Sequence, residues 1–136
     1  MKIYLIEDNK SMRDNLVSTL EELAPVKAVG SSDCVDEGVA WLLDDQRPWD
    51  MAIVDLFLKS GSGLSVLEAC RSRMPLQKIV VFSNYATHEM RLRCAQLGVD
   101  AVFDKATEID ALLSYCTAQS EKLKYTLDEE QLIEVA

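Results

Sequence analysis

The 136 residues are the length of one ordinary domain, long enough to bury about two thirds of their unfolded surface around a single core. Apolar residues make up 49% and charged ones 27%, which excludes a disordered tail, and no apolar run approaches the ~20 residues needed to span a bilayer. Lys and Arg total 14 against 23 Asp and Glu, a net charge of −9, and no Lys/Arg block exceeds two residues. That balance argues against a nucleic-acid partner, whose phosphates are held by clustered cations.

The chain opens Met1-Lys2-Ile3-Tyr4-Leu5-Ile6 and runs straight into Glu7-Asp8. The apolar stretch is too short for a signal peptide and lacks a small-residue cleavage site, so a cytoplasmic location with reduced thiols is expected. Cys34, Cys70, Cys94 and Cys116 are widely spaced with no C-x-x-C pair, and the last three sit among apolar neighbours in helical runs. They read as small buried hydrophobes.

Short apolar, β-rich runs at 3–6, 27–29, 51–56, 79–82 and 101–103 read as strands, and helical periodicity fills the intervals. In the first interval Met12, Leu16, Leu20 and Leu23 share a stripe; in the second Val35, Val39, Leu42 and Leu43 do. The third spans 64–73, with Leu64, Leu67 and Cys70. The fourth spans 87–97 and ends at Gly98, where a helix terminus favours a residue tolerant of positive φ. The fifth carries Leu112, Leu113 and Cys116, with Thr107 as its expected N-cap. Five strands alternating with five helices predict an α/β domain, a doubly wound parallel sheet covered on both faces.

In such sheets the functional crevice lies beyond the carboxyl ends of the strands. There the sequence places Glu7 and Asp8, then Asp55, then Ser83-Asn84, then Asp104-Lys105. Each alone has a plainer explanation: a helix cap, a turn carboxylate, a turn hydroxyl, a surface lysine. Together they gather three carboxylates, a hydroxyl and an ammonium at one edge. Three carboxylates repel one another unless a cation sits among them, and hard oxygen donors with room for water suit Mg²⁺. Lys105 is placed to neutralise an incoming phosphoryl group and Ser83 to hydrogen-bond it. Asp55 is a candidate nucleophile, since a carboxylate can form an aspartyl phosphate.

Ile6-Glu7-Asp8-Asn9, Ile53-Val54-Asp55-Leu56, Val80-Val81-Phe82-Ser83-Asn84 and the run from Leu97 to Lys105 resemble the receiver domains of two-component response regulators. The resemblance covers about residues 1–120. It leaves 121–136 as an extension of the last helix or a short acidic tail, too small for an output domain of about 50 residues or more. It implies a flavodoxin-like sheet of order 2-1-3-4-5. It further implies that Asp55 accepts a phosphoryl group from a sensor histidine kinase or phosphotransfer protein. Asp8, Asp55 and the backbone carbonyl of Phe57 would bind Mg²⁺ directly, with Glu7 acting chiefly through water, and Ser83 and Lys105 would contact phosphoryl oxygens. The face built from the fourth helix, fifth strand and fifth helix would meet a downstream protein, and a homodimer stays open. The chain is then a signalling protein rather than an enzyme with a separate substrate.

Three positions depart from the family pattern. Val102 stands where many receivers carry a switching aromatic, with Phe103 one place later. Ala106 follows the lysine where Pro is common, so a trans bond is expected, a non-proline cis bond costing about 3 kcal/mol. Asn84 replaces a small residue after the hydroxyl. These departures motivate a second reading, a receiver-like binding module that phosphate does not switch. A metal-dependent phosphohydrolase is disfavoured because position 57 is Phe, not a second acid. Among the remaining residues, Gly61 and Gly63 read as loop and helix-start positions, Trp41 and Trp49 as packing residues and His88 as exposed. Arg91 and Arg93 share the fourth helix and can mark a partner surface.

Overall fold

The computed structural model describes residues 1–135, and their side chains through residue 126. Strands β1 (Lys2–Ile6), β2 (Lys27–Ser32), β3 (Met51–Val54), β4 (Lys78–Ser83) and β5 (Ala101–Asp104) alternate with helices α1 (Lys10–Leu23), α2 (Val35–Leu42), α3 (Gly63–Ala69), α4 (His88–Gln96) and α5 (Ile109–Val135). All strand pairings are parallel, in the order β2-β1-β3-β4-β5. The expected doubly wound, flavodoxin-like sheet is therefore the observed one.

Successive side chains leave opposite faces of a strand, and here each face is covered by helices. Tyr4, Ile6, Ala52, Val54, Ile79 and Val81 pack toward α2, α3 and α4. Ile3, Leu5, Met51, Ile53, Val80, Phe82 and Phe103 pack toward α1 and α5. Central β3 is buried along its whole length, which explains its unbroken apolar run. The stripe on α1 is narrower than its periodicity suggests: Leu20 is buried, whereas Met12 and Leu23 are exposed. Trp41 stacks on Tyr4 with ring centroids 4.1 Å apart, and the buried Trp49 donates its Nε1–H to the Leu42 carbonyl at 3.0 Å. Cys70, Cys94 and Cys116 are buried free thiols, as their apolar settings suggest.

Several boundaries moved. β2 continues through Gly30-Ser31-Ser32, residues of weak β propensity that pairing with β1 nonetheless holds extended. Ser62 and Thr87 cap α3 and α4 by accepting the Leu64 and Met90 N–H groups. α3 ends at Ala69, with Cys70 as its C-cap. Thr107 does not cap α5, because the Asp104 carboxylate accepts the Ala106 N–H at 2.7 Å and turns the chain first; the helix begins at Ile109. Gly98, after α4, has φ +82°, the left-handed conformation expected there. α5 continues through Val135, so residues 121–135 extend the last helix. Its middle, from Tyr115 to Thr126, flanks a groove of about 680 Å³ with Met1, Asp50 and Leu76, at the end of the sheet opposite the acidic edge. Among the described residues no helix is long and apolar enough to cross a membrane.

Candidate functional site

Backbone hydrogen bonds extend the sheet one residue beyond its strands and thereby place the polar edge. Glu7 N–H donates to Ser32 O at 3.1 Å, Asp55 N–H to Ile6 O at 3.0 Å and Lys105 N–H to Ser83 O at 3.1 Å. The β3–α3 loop returns so closely that a Cβ on Gly63 would lie 2.1 Å from the Asp55 carbonyl oxygen. Only glycine permits that approach, which seats α3 directly behind Asp55. The Gly63 N–H in turn donates to Leu56 O at 2.8 Å.

Glu7, Asp55 and Ser83 are buried, and Lys105 joins the first two. Its Nζ donates to Glu7 Oε2 at 2.7 Å and to Asp55 Oδ2 at 2.8 Å, with all three side chains about a tenth exposed or less. The sequence places Lys105 at the acidic edge to neutralise an incoming phosphoryl group. In the structure it lies between two of the acids, because burying both without a counter-charge costs several kcal/mol. One ammonium does not balance two carboxylates. Burial, then the neighbouring Asp55 carboxylate, raises the Glu7 pKa above its usual range. Burial also opposes ionisation of Asp55, but the neighbouring Glu7, Lys105 and Ser83 side chains outweigh it and hold that carboxyl low. The two acids are thus pushed apart: their surroundings favour the neutral form of Glu7 and the charged form of Asp55. Both carboxylates hold the Lys105 ammonium, whose pKa is raised despite burial.

Asp8 is half-buried and its Oδ2 accepts the Lys59 N–H at 2.7 Å, tying the β3–α3 loop to β1. Asn9 caps α1 by accepting the Met12 N–H, while Arg13, which the sequence did not single out, donates to the Glu7 carbonyl at 2.7 Å. Ser83 Oγ accepts the Tyr85 N–H at 3.2 Å. Half-exposed Phe57 and Tyr85 meet with ring centroids 3.9 Å apart, bridging the loops after β3 and β4 beside Asp55. No alternation pattern announces that pair. The β4–β5 register sets Val102 opposite Val81 on the α4 side, and Phe103 is buried on the other face against Tyr115. No register shift brings Phe103 to the position before it. The Lys105–Ala106 bond is trans, as are all peptide bonds among the described residues. His88 is exposed, as expected, but Arg91 is engaged internally rather than free for a partner.

The donor chemistry at this edge, carboxylate and carbonyl oxygen with net negative charge, fits a hard divalent cation. The three acids do not converge fully, however: among the described residues the group whose ligand atoms all lie within 4.8 Å of one another is Asp33, Cys34 and Glu37. Glu7 and Asp55 are turned to Lys105, and Asp8 to the Lys59 amide.

A family model for the response regulator receiver domain matches residues 3–117. The chain belongs to that family. As a receiver domain it is a signalling module of two-component systems. It is 28% identical over 121 residues to the photosynthetic apparatus regulatory protein RegA of Cereibacter sphaeroides, matching 89% of this chain and 64% of that one. It is 29% identical over 98 residues to the DNA-binding transcriptional activator DevR/DosR of Mycobacterium tuberculosis, matching 72% of this chain and 44% of that one. The receiver thus spans about half to two thirds of these curated relatives. Its fold matches the Francisella response regulator 1452 receiver domain with a TM-score of 0.76 at 17% identity, over 90% of this chain and 98% of that one. The charge-based expectation of no nucleic-acid partner finds no support here, since one relative is named for DNA binding. Net charge over a receiver-length segment describes that segment alone.

Proposed function

We propose that Asp55 accepts a phosphoryl group from a sensor histidine kinase or phosphotransfer protein, and that the change is read by a partner protein on the α4–β5–α5 face. The observation that carries this reading is the buried ammonium shared at 2.7 and 2.8 Å by Glu7 and Asp55. An Asp55 oxygen attacks phosphorus, the P–N bond to the donor imidazole breaks, and the electron pair leaves on that nitrogen. The product is an acyl phosphate. Because Asp55 is held ionised, no base need deprotonate it. Lys105 follows the charge, exchanging a carboxylate oxygen for a phosphoryl oxygen, and Ser83 donates its hydroxyl to another. Asp8, Asp55 and the Phe57 carbonyl are the groups that would hold Mg²⁺, with Glu7 acting through water; the ion supplies further neutralisation of the transferring oxygens.

Incubation with Mg²⁺ and acetyl phosphate tests this reading. Intact-mass spectrometry should show one base-labile phosphate, absent without Mg²⁺ and absent in Asp55→Asn. Uptake by Asp55→Asn equal to that of the parent chain would refute it.

A further inference from the structure

One side chain joins the segment that follows Ser83 to three elements of the α4–β5–α5 face. The Ser83 hydroxyl accepts the Tyr85 N–H, and the next residue, Ala86, presents its carbonyl oxygen to Arg91 Nε at 3.1 Å. Arg91 Nη1 donates to the Val102 carbonyl of β5 at 2.9 Å, and Nη2 to Glu108 Oε1, just before α5, at 2.5 Å. The same Glu108 oxygen accepts the Asp104 N–H at 3.0 Å. A single planar guanidinium therefore spans the β4–α4 loop, the middle of β5 and the entrance to α5. Its fixed fork makes these contacts interdependent in a way a flexible ammonium cannot copy.

We propose that Arg91 is the coupling element that carries the state of Asp55 to the α4–β5–α5 face; this rests on the reading of Asp55 as phosphoacceptor. When the Ser83 hydroxyl turns to an oxygen on Asp55, it gives up the Tyr85 N–H, and the short tether draws the Ala86 carbonyl away from Nε. The guanidinium then redistributes between Val102 and Glu108. Its partial exposure suits such an exchange: the Arg91 and Glu108 side chains are 38% and 34% exposed, where an ion pair adds little rigidity of its own. Arg91 holds the Glu108 carboxyl below its usual range, so the pair stays charged near neutral pH. β5 has no aromatic on the α4 side to do this work, since Phe103 lies on the other face.

Hydrogen exchange of the full chain with Mg²⁺, with and without beryllofluoride as the phosphoryl mimic, tests the proposal. Beryllofluoride should alter exchange at residues 101–109 about tenfold in the parent chain and less than about twofold in Arg91→Ala, Arg91→Lys and Glu108→Gln, a difference of the size of ordinary allosteric coupling. Exchange at residues 55–59, beside the mimic, should respond equally in all four. Should Arg91→Ala fail to fold, Arg91→Lys and Glu108→Gln decide the matter. Undiminished transmission in the folded variants overturns the proposal, as does an unresponsive 101–109 segment in a parent chain that responds at 55–59. No response at 55–59 in the parent chain refutes instead the reading of Asp55 itself.

Discussion

Both ends of the sheet hold shielded charge, and they balance it differently. At the amino end Arg73 Nη2 donates to Asp100 Oδ2 at 2.6 Å, one cation to one anion. The guanidinium also reaches the carbonyls of Cys70, Arg71, Gln77 and Gly98, and Asp100 accepts the Ile79 N–H at 2.8 Å. The ends of α3 and α4 and the start of β4 are tied to the pair. At the carboxyl end one Lys105 ammonium serves two buried carboxylates, with Asp8 close behind in sequence. The first arrangement is neutral and anchored to backbone; the second is over-charged and anchored mainly to itself. A fold gains from the former. The latter costs stability, and charge excesses of that kind cluster at binding and reaction sites.

The amino end gives the largest expected effect. Arg73→Ala leaves Asp100 shielded without its cation and frees four carbonyls, and should cost about 3 kcal/mol of stability in urea denaturation. Mg²⁺-dependent phosphoryl uptake at Asp55 should persist wherever the variant is folded. A loss of uptake by folded Arg73→Ala would erase the distinction between the two ends.

At the carboxyl end the same kind of deletion should cost less, because Glu7 can take up a proton. Lys105→Met should lose about 2 kcal/mol in metal-free buffer near neutral pH. Added Mg²⁺ should stabilise this variant more than the parent chain, by up to about 1.4 kcal/mol for each tenfold excess over the dissociation constant. Equal increments in both proteins would mean that Lys105 does not share its place with a cation.

The polar edge was legible because each of its residues interrupts or ends an apolar strand, where burial makes charge costly, and strand alternation carried the rest of the fold. What escaped detection is relational. Lys105 was recognisable as a cation at the edge, but its position between Glu7 and Asp55 depends on side-chain directions that spacing does not encode. Arg91 looked like a surface charge on an exposed helix; its partners lie 11 and 17 residues away, at Val102 and Glu108. Arg73 reads from the sequence as the last residue of the third helix, which ends at Ala69, and Asp100 stands in the α4–β5 loop with no periodicity to mark it. The end of β2 was missed because Gly30, Ser31 and Ser32 owe their extended form to β1, not to their own preferences.

The smallest effect is the most diagnostic, because Glu7 and Asp55 respond to pH with opposite sign. The folded chain binds the Glu7 proton more tightly than the unfolded chain, whose carboxyl has the ordinary value of 4.5. That contribution is fully present below the ordinary value and is lost as pH rises through the raised folded pKa. For Asp55, held below its ordinary 3.8, the contribution is present above that value and lost as pH falls through the lowered one. Urea midpoints measured from pH 2 to pH 8 should therefore show Glu7→Gln gaining stability relative to the parent chain as pH rises, with a slope of at most one proton and then a plateau. Asp55→Asn should fall behind the parent as pH climbs through the acid range. A parent chain that gains on Glu7→Gln over the upper window would place a stable carboxylate at Glu7, fully paired with Lys105. The excess negative charge would then reside on Asp55, and the proton that keeps the two acids compatible would have no home at this edge.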